Sequence, residues 1–165
     1  MQLPLRPPTL SIVVPVHNET GSIEPFLART IPVLKGLAKG FDYEIVFVDD
    51  GSTDATLAEL LAARKADPRI KVVALSRNFG KDTALAAGLA HATGKGVIPM
   101  DVDLQDPPEV IPQMYARWRE GFDVVNGGGL AESWRIQRDT PGYIPRFTAD
   151  ELRGKLAEAK RYRDM

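Results

Sequence analysis

The chain has 165 residues, 44% hydrophobic and 26% charged, with 21 Lys and Arg against 22 Asp and Glu for a formal charge of −1. A chain of this size can bury one proper core, the composition excludes a disordered or collagen-like protein, and the balanced charge gives no overall basic field for nucleic acid, so any anion site must be local. The absence of Cys excludes disulfides, thiolate metal sites and cysteine nucleophiles and fits a reducing cytoplasm, while two His make a His-rich zinc site unexpected.

Residues 1–9 open a Pro-rich stretch, MQLPLRPPTL, without an apolar h-region, and read as a flexible lead-in rather than a signal peptide. Leu10 to Val16 (LSIVVPV) is a short, β-branched apolar run without strict alternation, the pattern of a strand covered on both faces. Similar runs recur at Tyr43 to Val48, Ile70 to Leu75, Gly96 to Met100 and Phe122 to Val125. Helical patterns lie between them, at Ser22 to Lys39, Thr53 to Ala66, Lys81 to Ala92 and Pro107 to Arg119. This alternation predicts right-handed βαβ units and an α/β fold with an open, mostly parallel sheet between two layers of helices.

Ser52, Thr53 and Asp54 are placed to cap the free amides of the second helix. After Asn126 three successive glycines begin an irregular connection over residues 127–147, and TADE at Thr148 opens a last helix over residues 148–165 by a capping box. No run approaches ~18 consecutive apolar residues, the length that a membrane span requires.

In open α/β sheets ligands bind beyond the carboxyl ends of the strands. Polar clusters follow each of the first four: His17, Asn18 and Glu19; Asp49 to Ser52; Ser76 to Asn78; Asp101 to Asp106. Asp101 and Asp103 alternate, so in extended geometry their carboxylates point to one side. Two such charges ~4 Å apart would repel by about 4 kcal/mol at an effective dielectric near 20. A divalent cation reverses that sign, and oxygen-only ligands favour Mg²⁺ or Mn²⁺ bridged to substrate phosphates. The plainer alternative is a strand end followed by a polar turn, and Asp106 can cap the helix that opens at Pro107.

Asp50 has two readings: a carboxylate accepting hydrogen bonds from a base or ribose, or a helix cap before a turn glycine. For Ser52 and Asp54 the cap is the better reading. His17 and Asn18 can simply close the first loop, and Glu19 can sit in the first turn of the next helix. Arg77 and Lys81 could meet a diphosphate or face solvent. His91 reads as a terminal-turn residue, and Trp118 and Trp134 as packing.

Four segments, IVVPVHNE (Ile12 to Glu19), EIVFVDDGSTDAT (Glu44 to Thr56), LSRNFGKDTALAAGLAHATG (Leu75 to Gly94) and VIPMDVDLQDPPEVIPQM (Val97 to Met114), occur in this order. Together they resemble the family 2 glycosyltransferases of GT-A fold, and RNFGK with DVDLQDPPE resembles the polyprenyl-phosphate branch, which includes dolichol-phosphate mannose synthase and bactoprenol glucosyltransferases. The resemblance implies that residues 10–126 form a nucleotide-sugar-binding domain, with Pro15, Glu19 and Asp50 lining the nucleoside pocket. Val16, Ser52, Arg77, Lys81, Asp101 and Val102 join the nucleotide-binding set. Asp101, Asp103 and Gln105 would surround the metal and the donor diphosphate, with Asp101 and Asp103 as the catalytic acids.

The implied reaction is metal-dependent, inverting transfer of a hexose from UDP-glucose or a similar UDP-sugar, or from GDP-mannose, to undecaprenyl or another polyprenyl phosphate at the cytoplasmic membrane face. A phosphate monoester has its second pKa near ~6, so it attacks without a strong general base. The matching text ends at about Asn126. Glu132, Ser133 and Trp134 resemble the family, but their frame does not, which raises the alternative of a truncated, non-catalytic nucleotide-sugar-binding or assembly module. A sugar-nucleotide nucleotidyltransferase is the weaker rival, because no Gly-rich loop follows the first strand. The basic residues of the last helix could rest on an anionic membrane or form a solvated face. A homo-oligomer is compatible with the sequence, and nucleic acid is not an expected partner.

Overall fold

The computed structural model describes residues 9–37 and 41–120. The elements are β1 (Leu10–Val16), α1 (Ile23–Lys35), β2 (Tyr43–Asp49), α2 (Thr56–Ala66), β3 (Ile70–Ala74), α3 (Lys81–His91), β4 (Gly96–Pro99), a 3-10 turn (Pro108–Val110) and α4 (Ile111–Arg119). The described part of the first compact unit, which ends at Pro108, holds the sheet with α1 to α3; α4 belongs to a second unit and is described by itself. The predicted strand at 122–125, the connection at 127–147 and the last helix lie outside the described residues.

Among the described residues all strand pairs are parallel, and the order is β3-β2-β1-β4. β1 and β2 are central and buried at almost every position, which explains why their sequences lack an alternating polar face. Register pairs Ile12 with Ile45 and Val14 with Phe47, so these four side chains share one face. That face meets α1, where Phe26 packs edge-on against Phe47 with ring centroids 5.9 Å apart. Both rings are fully buried, each contributing roughly 1.5–3 kcal/mol by area removed from water.

α2 lies beside α1 and packs on β2 and β3. Val13 and Val48 share the opposite face, which α3 covers through Gly88; a Cβ there would lie 2.3 Å from Val13 Cγ1, so only glycine lets this helix approach so closely. Helices therefore cover both faces, as the alternating pattern predicts.

Boundaries shift where caps decide them. α2 begins at Thr56, not Thr53, because Asp54 Oδ1 accepts the Thr56 N–H at 2.9 Å as well as its hydroxyl, and residues 52–55 remain loop. α1 ends at Lys35 rather than at residue 39. α4 opens at Ile111 with Val110 at the cap position, so Asp106 does not cap it as expected; Pro108 to Val110 form a tighter 3-10 turn first. On α4, Trp118 is half-buried beside Tyr115, with ring centroids 5.9 Å apart. Among the described residues no helix is long and apolar enough to cross a membrane.

Candidate functional site

The strand order reverses between β1 and β4: successive units step from β1 to β2 to β3, and α3 then returns the chain to the other side of β1. Parallel sheets open a crevice at such a point, outside the carboxyl ends. Val14, Pro15 and Val16 of β1 extend beyond β4's last paired residue, Pro99. Met100 N–H still donates to Val13 O at 2.9 Å, after which the chain turns away.

Contrary to the sequence expectation, Asp101 and Asp103 therefore do not alternate along a strand. β4 ends at Pro99, and both acids lie in the turn that follows, either side of buried Val102, with Leu104 in the left-handed region at φ 62°. Asp103 Oδ1 accepts the Gln105 backbone N–H at 3.0 Å, and Asp103 and Gln105 are exposed. The Asp101 side chain is 43% exposed and binds Lys81, whose Nζ lies 2.7 Å from Oδ1 and 2.9 Å from Oδ2. This hydrogen bond raises the Lys81 pKa above the ordinary lysine value, with further help from the charges of Asp101, Asp103 and Asp82.

The loop that carries Arg77 and leads into Lys81, the first residue of α3, is fixed to the end of β2. Asp50, only 3% exposed, accepts the Phe79 N–H on Oδ1 at 2.7 Å and the Gly80 N–H on Oδ2 at 2.9 Å. Its carboxylate thus does not cap α2; both oxygens serve the loop that leads into α3, one of them on the amide of Gly80, the residue at that helix's N-cap position. Gly51, at φ +66°, presses on that loop as well: a Cβ would lie 2.2 Å from Arg77 C and 2.4 Å from Asn78 N. Arg77 is exposed, with its guanidinium carbon 4.0 Å from the centroid of the Phe79 ring.

His17 closes the joint. Its Nδ1 lies 2.8 Å from the Asp50 carbonyl oxygen, which can only accept, so this nitrogen carries the proton. Nε2 then accepts from the Asn78 amide at 3.1 Å and the Asn18 amide at 3.3 Å. Asn18 Oδ1 in turn accepts the Thr53 N–H at 2.8 Å, so His17 and Asn18 do close the first loop. Ser52 is not a cap for α2: its hydroxyl accepts the Asn18 N–H at 2.9 Å, tying the two loops together. Glu19 is not in the first turn of α1. It lies in the preceding loop, where its N–H donates to Thr56 Oγ1 at 2.8 Å and its carboxylate accepts from the Ser22 hydroxyl at 3.1 Å. Pro15 is half-buried on β1 opposite Val48, and Val16 is buried opposite Asp49. His91 lies in the last turn of α3, as the sequence suggests, with its Nδ1 bonded to the Ala87 carbonyl.

Asp49 is the residue that sequence reading passed over in favour of Asp50. It is 2% exposed, its Oδ2 has a 3.4 Å contact from the Ser52 N–H, and its Oδ1 has no hydrogen-bond partner among the described residues. A buried carboxylate oxygen without a donor is costly. Parity puts Asp49 on the α1 face with Ile45 and Phe47, but both faces of β2 are buried, so the sequence carried no signal that separates it from Asp50.

Among the described residues no group of three or more His, Cys, Asp or Glu is placed to hold a metal. Asp101 and Asp103 with the Gln105 amide supply two solvent-accessible carboxylates and one neutral oxygen. That set suits Mg²⁺ or Mn²⁺, which commonly take one or two carboxylates and leave other positions to water and phosphate.

A family model described as glycosyl transferase family 2 matches residues 11–163. The chain is 44% identical over 154 residues to a prophage bactoprenol glucosyl transferase homolog of Escherichia coli K12, covering 92% of this chain and 48% of that protein. A mannosyltransferase of Pyrobaculum calidifontis, solved with GDP-Man and Mn²⁺, is similar at 29% identity and TM-score 0.56, over 68% of this chain and 32% of that one. Glucosyl-3-phosphoglycerate synthase of Mycobacterium tuberculosis, solved with Mn²⁺, UDP-glucose and phosphoglyceric acid, is similar at 28% identity and TM-score 0.55, over 73% and 45% of the two chains. The chain spans about half the length of curated relatives that it matches over 92% of its own length.

Proposed function

The chain belongs to glycosyl transferase family 2, and from that premise we propose that it binds a nucleotide-sugar at the β1/β4 crevice and serves inverting transfer of a hexose to a polyprenyl phosphate at the cytoplasmic membrane face. The observation that supports the reading is that, at the carboxyl end of one parallel sheet, β2 ends in a buried acid, Asp49, with an oxygen unpartnered among the described residues, and β4 is followed by two solvent-accessible acids, Asp101 and Asp103. The free Asp49 oxygen suits a donor N–H of a base or a ribose hydroxyl. Pro15 and Val16 form the adjoining strand end, while Asp50 and Gly51 act indirectly by holding in place the loop that carries Arg77 and leads into Lys81.

Asp101, Asp103 and Gln105 would hold a Mg²⁺ or Mn²⁺ ion, which when bound supplies Lewis-acid stabilisation of the departing diphosphate. The protein's own cations add to this. Lys81 and exposed Arg77 can meet phosphate oxygens of the donor or of the acceptor, and an Arg fork suits a phosphate in two-point contact. The acceptor phosphate is itself the nucleophile, so no side chain has to remove a proton from it. UDP-glucose is the favoured donor, supported by the glucosyl relative and the UDP-glucose-bound neighbour, with GDP-mannose the competitor.

Calorimetric titration of UDP and GDP with and without Mn²⁺, followed by assay of radiolabelled hexose transfer to undecaprenyl phosphate, tests the proposal. Metal-dependent nucleotide binding and a labelled lipid product are expected. No nucleotide binding under either condition overturns the site, and binding without lipid product overturns the reaction.

A further inference from the structure

Lys81 Nζ spans both oxygens of the Asp101 carboxylate, at 2.7 Å and 2.9 Å. One ammonium thus occupies the atoms that a dication would need. Lysine has three donors and no lone pair while charged, so it cannot share the site as a ligand. The pair lies at the surface, with the Lys81 side chain 65% exposed and that of Asp101 43% exposed, and exposed ion pairs exchange readily because water competes well for both partners. Its geometry nevertheless has a fixed base: the carboxylate of Asp50 holds the amides of Phe79 and Gly80, immediately before Lys81.

We propose that Lys81 is an exchangeable counter-ion of Asp101, which holds the carboxylate until a dication displaces it and is then released to the diphosphate that arrives with the metal. The proposal rests on the reading of Asp101 as a metal ligand. It makes Lys81 a positioning residue with opposite effects on two affinities. Removing its charge favours metal in the absence of nucleotide, since a competitor and a like charge disappear together. The same change disfavours the diphosphate once the metal is bound, since a phosphate partner is lost.

Titration of Mn²⁺ without nucleotide, read from the electron paramagnetic resonance of the free ion, compares the unsubstituted protein with Lys81→Met, Lys81→Arg and Asp101→Asn. Lys81→Met is expected to bind Mn²⁺ about two- to fivefold more tightly, the range that an exposed ion pair can shift, with the difference shrinking in high salt. Lys81→Arg keeps the charge and should stay within about twofold of the unsubstituted protein. UDP titration at saturating Mn²⁺ should show weaker binding to Lys81→Met. Mn²⁺ binding to Lys81→Met that is no tighter, or UDP binding that is no weaker, overturns the proposal; a purely structural Lys81 would weaken both. If Asp101→Asn binds Mn²⁺ as well as the unsubstituted protein, the metal-ligand reading fails and takes this one with it. Loss of Mn²⁺ in Asp101→Asn without a gain in Lys81→Met overturns the role of Lys81 alone.

Discussion

Asp50→Asn separates a loop clamp from a direct nucleotide ligand. The substitution keeps size and shape but leaves one acceptor oxygen where there were two. The remaining oxygen would keep the shorter bond, from the Phe79 N–H at 2.7 Å, now to a neutral acceptor. Hydrogen bonds to charged groups contribute about 1.5–3 kcal/mol against about 1 kcal/mol for neutral ones, so this bond loses roughly 1 kcal/mol.

The new amide NH₂ would face the Gly80 N–H, donor against donor. That N–H is not left bare, because Asn78 Oδ1 also accepts it at 3.0 Å. A second loss of no more than roughly 1 kcal/mol follows, and neutralising a buried carboxylate offsets part of the total. The expected destabilisation is about 1–2 kcal/mol. With a urea m-value of about 1–3 kcal/mol/M, that lowers the unfolding midpoint by roughly 0.3–2 M. Asp50→Ala removes both acceptors and should lose more, about 2–4 kcal/mol. Equilibrium urea unfolding without nucleotide or metal measures both variants. If Asp50→Asn unfolds at the same urea concentration as the unsubstituted protein while nucleotide affinity collapses, the clamp is refuted and Asp50 is a direct ligand.

Gly51→Ala should destabilise by about 2–4 kcal/mol in the same unfolding experiment, combining left-handed backbone strain with a forced shift of the Arg77–Asn78 backbone. Asp103→Asn should abolish most metal-dependent UDP binding in calorimetry and leave the apo melting temperature nearly unchanged, because an Asn oxygen can still accept the Gln105 N–H in an exposed turn. For Glu44, burial works to raise the pKa, but hydrogen bonds from Lys71, Ser11 and Thr93 outweigh it and hold the group below the ordinary glutamate value. The folded form therefore binds a proton less readily than the unfolded one; its contribution is present in full above the ordinary glutamate pKa and is lost as pH falls through the lowered folded value. Acid unfolding of Glu44→Gln should show a smaller loss of stability across that interval than the unsubstituted protein.

What was legible in the sequence followed from local periodicity. The runs at Leu10, Tyr43, Ile70 and Gly96 became the four strands, and the lack of alternation in the first two anticipated their place between layers of helices. Side-chain roles that depend on distant partners were not legible. Asp50 and Ser52 stand where caps usually stand, yet their acceptors serve residues 29 and 34 positions away in the chain, at Phe79 and Asn18. Neither contact leaves a local pattern, because it arises only when parallel pairing brings the β1, β2 and β3 ends together. Asp101 and Asp103 failed differently: spacing gave their alternation, but Pro99 ended the strand before them, and a turn replaced the assumed extended geometry.

The two ends of β2 show why the carboxyl edge is the chemical one. Glu44, near its start, is as buried as Asp49 at its end, and both are carboxylates on the same strand. Glu44 accepts the Ser11 hydroxyl at 2.6 Å, the Thr93 N–H at 2.6 Å, the Thr93 hydroxyl at 3.0 Å and the Lys71 ammonium, so the fold supplies its donors in full. After Asp49 the following loop spends its amides on other acceptors: the Thr53 N–H serves Asn18 and the Thr56 N–H serves Asp54, and among the described residues the Asp49 carboxylate receives the Ser52 N–H on Oδ2, at 3.4 Å, with nothing on Oδ1. A free oxygen held at this depth costs stability unless something from outside completes it. Because it lies on the edge where Asp101 and Asp103 also end, a ligand with a hydrogen-bond donor at one end and phosphates at the other would answer both needs.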